Sequence, residues 1–122
     1  MTAPQFCYYA DDFTGSTDAL ECLAQAGAQA VLFLQVPTQQ QLGKFPDLDA
    51  FGVAGMTRSL GTEQLEREIG PVLRALRKLS IPHVHYKVCS TFDSSPTVGS
   101  IGRVIDVAGD IFNAPFVPLV VG

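Results

Sequence analysis

Five apolar runs alternate with segments of helical periodicity along this chain, and that alternation constrains the fold more than any other feature. The runs are Gln5–Ala10, Ala28–Gln35, Ala50–Gly55, His83–Cys89 and Phe116–Val121. Several are continuously apolar rather than alternating, the pattern of strands covered on both faces. Between them, Ser16–Ala26 places Leu20, Leu23 and Ala24 on one face and stops at Gly27, a C-terminal signal. Thr62–Leu79 carries Leu65, Ile69, Val72, Leu73, Leu76 and Leu79 near a helical period. Gly70-Pro71 interrupts it, which predicts a kink or a split into two helices. Pro96–Ala108, with Ser95 as N-cap, has Val98, Ile101, Ile105 and Ala108 as its apolar face. A short helix or turn is expected near Thr38–Leu42. The order predicts an α/β fold: a three-layer, Rossmann-like domain with a mostly parallel sheet of about five strands and helices on both faces.

The length of 122 residues fits one domain, and 47% hydrophobic with 16% charged residues suffices for a packed core. A net charge of -4 without a basic block excludes general nucleic-acid affinity. No apolar run approaches the ~20 residues needed to cross a bilayer, so no membrane partner is expected. Cys7, Cys22 and Cys89 lack metal-ligand spacing and read as reduced thiols. With no signal-peptide pattern, the expected location is the cytoplasm. The chain stops where the fifth run ends, which predicts that it is the front part of a longer protein, because ligand loops follow strand ends in this fold class.

Polar residues gather at three strand ends. The first run ends in Asp11-Asp12, followed by Phe13-Thr14-Gly15-Ser16; the third ends in Met56-Thr57-Arg58-Ser59; the fourth contains Tyr86-Lys87 and ends in Ser90-Thr91-Phe92-Asp93-Ser94-Ser95. A parallel sheet brings these ends to one edge, with two helix N-termini, near Ser16 and Pro96, aimed at it. Two carboxylates, two cations, hydroxyls and free N–H groups suit a small polyhydroxylated anion. Each residue also has a structural alternative. Asp12 or Thr14 serves as a helix cap, Gly15 as a turn residue, and Arg58 or Lys87 as an ion-pair partner of Asp11 or Asp12. Lys87, inside an apolar strand, needs a partner in any case. His83 and His85 share a strand face and read as packing residues rather than metal ligands. Gly99 and Gly102 serve close helix–sheet packing or close approach of a ligand.

Three phosphate chemistries fail on residues. A response-regulator receiver needs an Asp at the third strand end, where this chain has Thr57-Arg58, and a Lys at the fifth. A haloacid-dehalogenase phosphatase needs Asp-x-Asp, but Phe13 and Thr14 stand two residues after Asp11 and Asp12. Neither G-x-x-x-x-G-K-[ST] nor, after the first strand, G-x-G-x-x-G is present.

The pieces Ala10-Asp11-Asp12-Phe13-Thr14-Gly15-Ser16-Thr17-Asp18, Val53-Ala54-Gly55-Met56-Thr57-Arg58-Ser59 and Tyr86-Lys87-Val88-Cys89-Ser90-Thr91-Phe92-Asp93-Ser94-Ser95 together resemble the four-carbon acid sugar kinases, a family once classed only as a domain of unknown function. The resemblance covers essentially the whole chain. It implies a two-domain enzyme that phosphorylates tetronic acids or their 3-oxo derivatives with ATP and Mg²⁺. This chain, 1–122, would be its N-terminal sugar-acid-binding domain, inactive alone and binding no cofactor itself. A C-terminal nucleotide-binding domain would be its partner, and a homo-oligomer is compatible. The resemblance places Asp11, Asp12, Arg58, Lys87, Ser90 and Thr91 at the substrate. Thr14 and Gly15, in the same loop, are expected there too, with Asp12 orienting or deprotonating the accepting hydroxyl and Arg58 or Lys87 holding the carboxylate. Cys89, where many members have Asp, is similar to a 3-oxo-tetronate kinase-like branch. The alternative is a standalone, non-catalytic module that binds small acids or regulates.

Overall fold

The computed structural model describes residues 3–121. The elements in chain order are β1 (Phe6–Ala10), α1 (Phe13–Gln25), β2 (Ala30–Phe33), α2 (Gln39–Leu42), β3 (Ala50–Ala54), α3 (Thr62–Lys78), β4 (His83–Lys87) and α4 (Ile101–Phe112). The strands form one sheet in the order β2-β3-β1-β4, and every pairing is parallel. All strand carboxyl ends therefore lie on one edge, and the loops that follow β1, β3 and β4 meet there.

The registers explain the two faces. Val31, Phe51, Cys7 and Val84 align across the sheet, as do Phe33, Val53, Tyr9 and Tyr86. These rows pack against Leu65, Ile69, Leu73 and Leu76 of α3 and Val104 and Ile111 of α4 to make the main core. The opposite face carries Tyr8 between Gly52 and His85. It is covered by α1, where the Tyr8 hydroxyl donates to the Ser16 carbonyl at 2.7 Å. Helices thus flank both faces of a mostly parallel sheet, as the alternation predicts.

Four local expectations are corrected. First, α1 begins at Phe13 rather than Ser16, because the Asp12 side chain caps it. Second, α3 runs through Gly70-Pro71 as one helix rather than splitting into two. Buried Leu65 and Ile69 before the proline and Leu73 and Leu76 after it hold one continuous apolar face to the sheet, which outweighs the lost hydrogen bond. Third, α4 begins at Ile101 rather than Pro96. The Ser95 Oγ accepts from the Val98 N–H at 2.9 Å and closes a turn, and Gly99 then takes a left-handed φ of 59°. Ser100 becomes the cap, accepting from the Arg103 N–H at 3.1 Å. Fourth, among the described residues Phe116–Val121 pairs with no strand and the sheet has four strands rather than about five. Pro115 and Pro118 lack N–H donors, and Phe116 and Val120 stand 75% and 82% exposed. The short helix is present as Gln39–Leu42, with a capping box between Thr38 and Gln41. Among the described residues no helix is long and apolar enough to cross a membrane.

Candidate functional site

The end of β1 is stitched to both neighbouring loops. The Asp11 N–H donates to the Lys87 carbonyl at 3.0 Å, and the Asp11 carbonyl accepts from the Arg58 N–H at 3.1 Å. The chain turns there into α1, and the two Asp12 oxygens divide their work. Oδ1 accepts from the Gly15 N–H at 2.7 Å, and Oδ2 lies 3.2 Å from Arg58 Nη1. The capping and ion-pair alternatives for Asp12 therefore both hold.

Arg58 reaches onward to the loop after β4. Its Nη2 lies 2.8 Å from Asp93 Oδ2 and 3.4 Å from Thr91 Oγ1, and the Thr91 hydroxyl donates to Asp93 at 2.8 Å. One guanidinium thus ties the start of α1 to the Ser90–Ser95 segment. The other cation is placed differently. Lys87 Nζ donates to the Val88 carbonyl at 2.6 Å. Among the described residues it has no carboxylate within ion-pair distance. It leans over the first turn of α1, because a Cβ on Gly15 would sit 3.3 Å from Nζ and 2.7 Å from Asp12 Oδ1. Gly15 is needed for that close approach.

The eight residues singled out by sequence do not all converge. Asp12, Arg58 and Thr91 join one network, and Asp11, Gly15 and Lys87 border it. Thr14 and Ser90 are exposed, and neither side chain makes a hydrogen bond among the described residues. Asp93 was missed as a site residue, although the spacing Thr91-Phe92-Asp93 is a turn signal. Thr57 and Tyr86 were quoted only as motif positions, yet their hydroxyls lie 2.6 Å apart. The N-terminus of α4 is less open than expected, since Ser94 and Ser100 accept from its first N–H groups. An open cleft of about 490 Å³ there is lined by Thr62, Ser94, Ser100 and Arg103. Arg103 is already paired with Glu66 at 2.5 Å, so that cleft lacks the unpaired cation found at Lys87. His83 and His85 lie exposed on one face, and no group of three or more His, Cys, Asp or Glu side chains gathers as metal ligands among the described residues.

The environment pushes the two carboxyls apart. Burial raises the pKa of Asp11, the Asp12 charge adds to this, and the Cys89 N–H, Lys87 and Arg58 offset it only in part. For Asp12 burial acts in the same direction, but the Gly15 N–H, Cys89 and Arg58 outweigh it and hold the carboxyl below the usual range. Asp11 is 3% exposed, and its Oδ1 has no hydrogen-bond partner among the described residues. Its raised pKa means that the folded chain binds more protons than the unfolded chain between the two pKa values. Asp11 therefore lowers stability at neutral pH, and the penalty fades as pH falls through its folded pKa. Asp11→Asn is expected to be more stable than the native chain at pH 7–8, with the difference vanishing on acidification. Urea unfolding of both proteins across pH measures this. The contribution of Asp93 is common to both proteins, and relief of the Asp11–Asp12 repulsion in the variant acts in the same direction.

Comparison with known proteins identifies the family. Residues 6–121 match the family described as the sugar-binding N-terminal domain. A 3-oxo-isoapionate kinase from Paraburkholderia graminis is 48% identical over 115 residues, covering 94% of this chain and 24% of the relative. A 3-oxo-tetronate kinase from Escherichia coli is 36% identical over 108 residues, covering 88% of this chain and 26% of the relative. The chain spans about a quarter of the length of these curated relatives. A crystal structure from Bordetella bronchiseptica of a domain of unknown function, described as a domain-swapped dimer with bound citrate, superposes with a TM-score of 0.73 at 23% identity, covering 89% of this chain and 26% of that one; this likeness shows the fold. The chain belongs to the family of sugar-binding N-terminal domains found in the 3-oxo-tetronate and 3-oxo-isoapionate kinases.

Proposed function

We propose that the crevice between α1, the Arg58 loop and the end of β4 holds the carboxylate of a small sugar acid, and that the chain is the acceptor half of an ATP-dependent sugar-acid kinase. The observation that carries this is Lys87, an ammonium at the N-terminal turn of α1 with no carboxylate within ion-pair distance among the described residues. A cation beside the positive end of a helix is unfavourable by itself and becomes favourable when an anion sits between them. Arg58, committed to Asp12 and Asp93, acts as the strut that holds the crevice in shape.

An acid of the 3-oxo-tetronate or 3-oxo-isoapionate class is the reading that the names of the relatives support. On this reading Asp12 accepts from and orients the hydroxyl that is phosphorylated. A carboxylate held below its usual range is a weak base, so orientation rather than deprotonation is its role. ATP supplies the phosphoryl group and Mg²⁺ neutralises the triphosphate charge. The chain has no G-x-x-x-x-G-K-[ST] phosphate loop, and the Gly15 N–H in the first turn of α1 is already spent on Asp12 Oδ1. Both cofactors are therefore assigned to a nucleotide-binding partner domain. Self-association belongs to the same proposal and is checked by sedimentation.

Calorimetric titration tests the acid site. Erythronate, threonate and 3-oxo-tetronate are expected to bind at least about tenfold more tightly than erythritol, the uncharged four-carbon polyol, because charge-assisted hydrogen bonds are worth more than neutral ones. Equal binding of erythritol and erythronate would remove the carboxylate from the crevice.

A further inference from the structure

We propose that Thr57 and Tyr86 are a positioning pair that sets the separation of Arg58 and Lys87, and through it the length of acid the crevice accepts; the second part rests on the acid-binding reading above. Each member immediately precedes one of the two cations. Thr57 is fully buried, and its Oγ lies 2.6 Å from the Tyr86 hydroxyl. β3 and β4 are not neighbours, because β1 lies between them. The bond therefore arches over the carboxyl end of β1, where Asp11 is buried.

Strand alternation sends Tyr86 to the α3/α4 face and the next residue, Lys87, to the α1 face. Tyr86 is held by stacking on Tyr9, with ring centroids 6.0 Å apart and planes 14° from parallel. On the Thr57 side, the Arg58 N–H is fixed to the Asp11 carbonyl, and the Gly55 backbone sits so close to the Tyr9 ring that a Cβ there would collide with it. Removing the Tyr86 hydroxyl leaves that of Thr57 buried and unsatisfied, and removing that of Thr57 leaves the half-buried Tyr86 hydroxyl without this partner, so the loop has reason to move rather than relax in place. Neither side chain is proposed to touch the ligand.

The test uses Tyr86→Phe, which keeps the ring stack, Thr57→Val, which keeps the shape, and Thr57→Ser, which keeps the hydroxyl. The first readout needs no ligand: the ¹⁵N–¹H signals of the Arg58 guanidinium. They are expected to be dispersed and slowly exchanging in the native protein, where Asp12 and Asp93 hold them. They are expected to collapse in Tyr86→Phe and Thr57→Val and to be retained in Thr57→Ser. The second readout is the ratio of affinities for erythronate and for the three-carbon glycerate. It is expected to fall on the order of tenfold in the same two variants and to recover in Thr57→Ser. A merely structural role lowers the melting temperature and both affinities together, leaving the ratio and the Arg58 signals unchanged, and that result overturns the proposal. If the native protein binds neither acid, the acid-binding reading fails by itself and the Arg58 signals alone decide whether the pair positions the cations.

Discussion

Lys87→Ala is expected to lower the affinity for erythronate on the order of 100-fold while leaving the protein as stable as the native chain, or more so. The two effects separate because of where the ammonium sits. In the free protein the Lys87 ammonium donates, among the described residues, only to the Val88 carbonyl, and it lies against the first turn of α1. A cation at a helix N-terminus is disfavoured by about 0.3–1 kcal/mol, so its removal costs the fold little. A bound carboxylate, by contrast, loses its cation in a partly desolvated crevice, a loss of about 2–5 kcal/mol for charged pairs. Calorimetry and thermal unfolding on the same samples read both numbers. Native affinity in Lys87→Ala would take the carboxylate away from Lys87; a large drop in melting temperature would show that Lys87 is a structural residue. Arg58→Ala is the contrasting variant, since it breaks contacts to both Asp12 and Asp93 and should affect folding and binding together.

The largest effect on folding is expected at Gly52. It sits beside Tyr8 in the register, and a Cβ added there would fall inside the Tyr8 ring. Tyr8 cannot step aside cheaply, being 1% exposed with its hydroxyl bound to the Ser16 carbonyl at 2.7 Å. Gly52→Ala is expected to cost about 3 kcal/mol through overpacking and a strained or lost buried hydrogen bond. That corresponds to a fall of roughly 10 °C in melting temperature for a domain of this size. Gly109→Ala in α4 is the matched control. A Cβ there meets nothing within 4 Å, so the change should stabilise the helix by about 0.5–1 kcal/mol. If Gly52→Ala melts with the native chain, Tyr8 does not pack over Gly52 as described.

Much of the fold was legible because burial has a period. β1 and β3 are short apolar runs, and α3 repeats Leu65, Ile69, Leu73 and Leu76 at helical spacing, so element types follow from local sequence. Three of the four misreadings share one cause. Ser95-Pro96 has the chemistry of a helix start, but Val98 bridges to Gly61 and Gly99 donates to the Leu60 carbonyl, which holds the segment out of helix until Ser100. Phe116–Val121 has strand composition, but a strand exists only with a partner. Gly70-Pro71 reads as a break, but packing on both sides of it keeps α3 whole.

The site divides in the same way. Sequence placed Asp11, Asp12, Arg58 and Lys87 at one sheet edge, since parallel strands put their carboxyl ends together. It left open which cation is structural and which is available, and it gave Thr14 and Ser90 the same weight as Thr91. Those choices depend on contacts such as Arg58–Asp12, which spans 46 residues, and Arg58–Asp93, which spans 35. The sequence by itself determined the strand and helix types and the edge where charge collects, because hydrophobic period and strand direction are local or topological properties. Only the tertiary structure decided that Arg58 is spent on two carboxylates, that Lys87 is not, and that Thr57 meets Tyr86 across β1. Hydrogen bonds and ion pairs form within about 3 Å, and that distance is set by register and loop conformation, which no local pattern encodes.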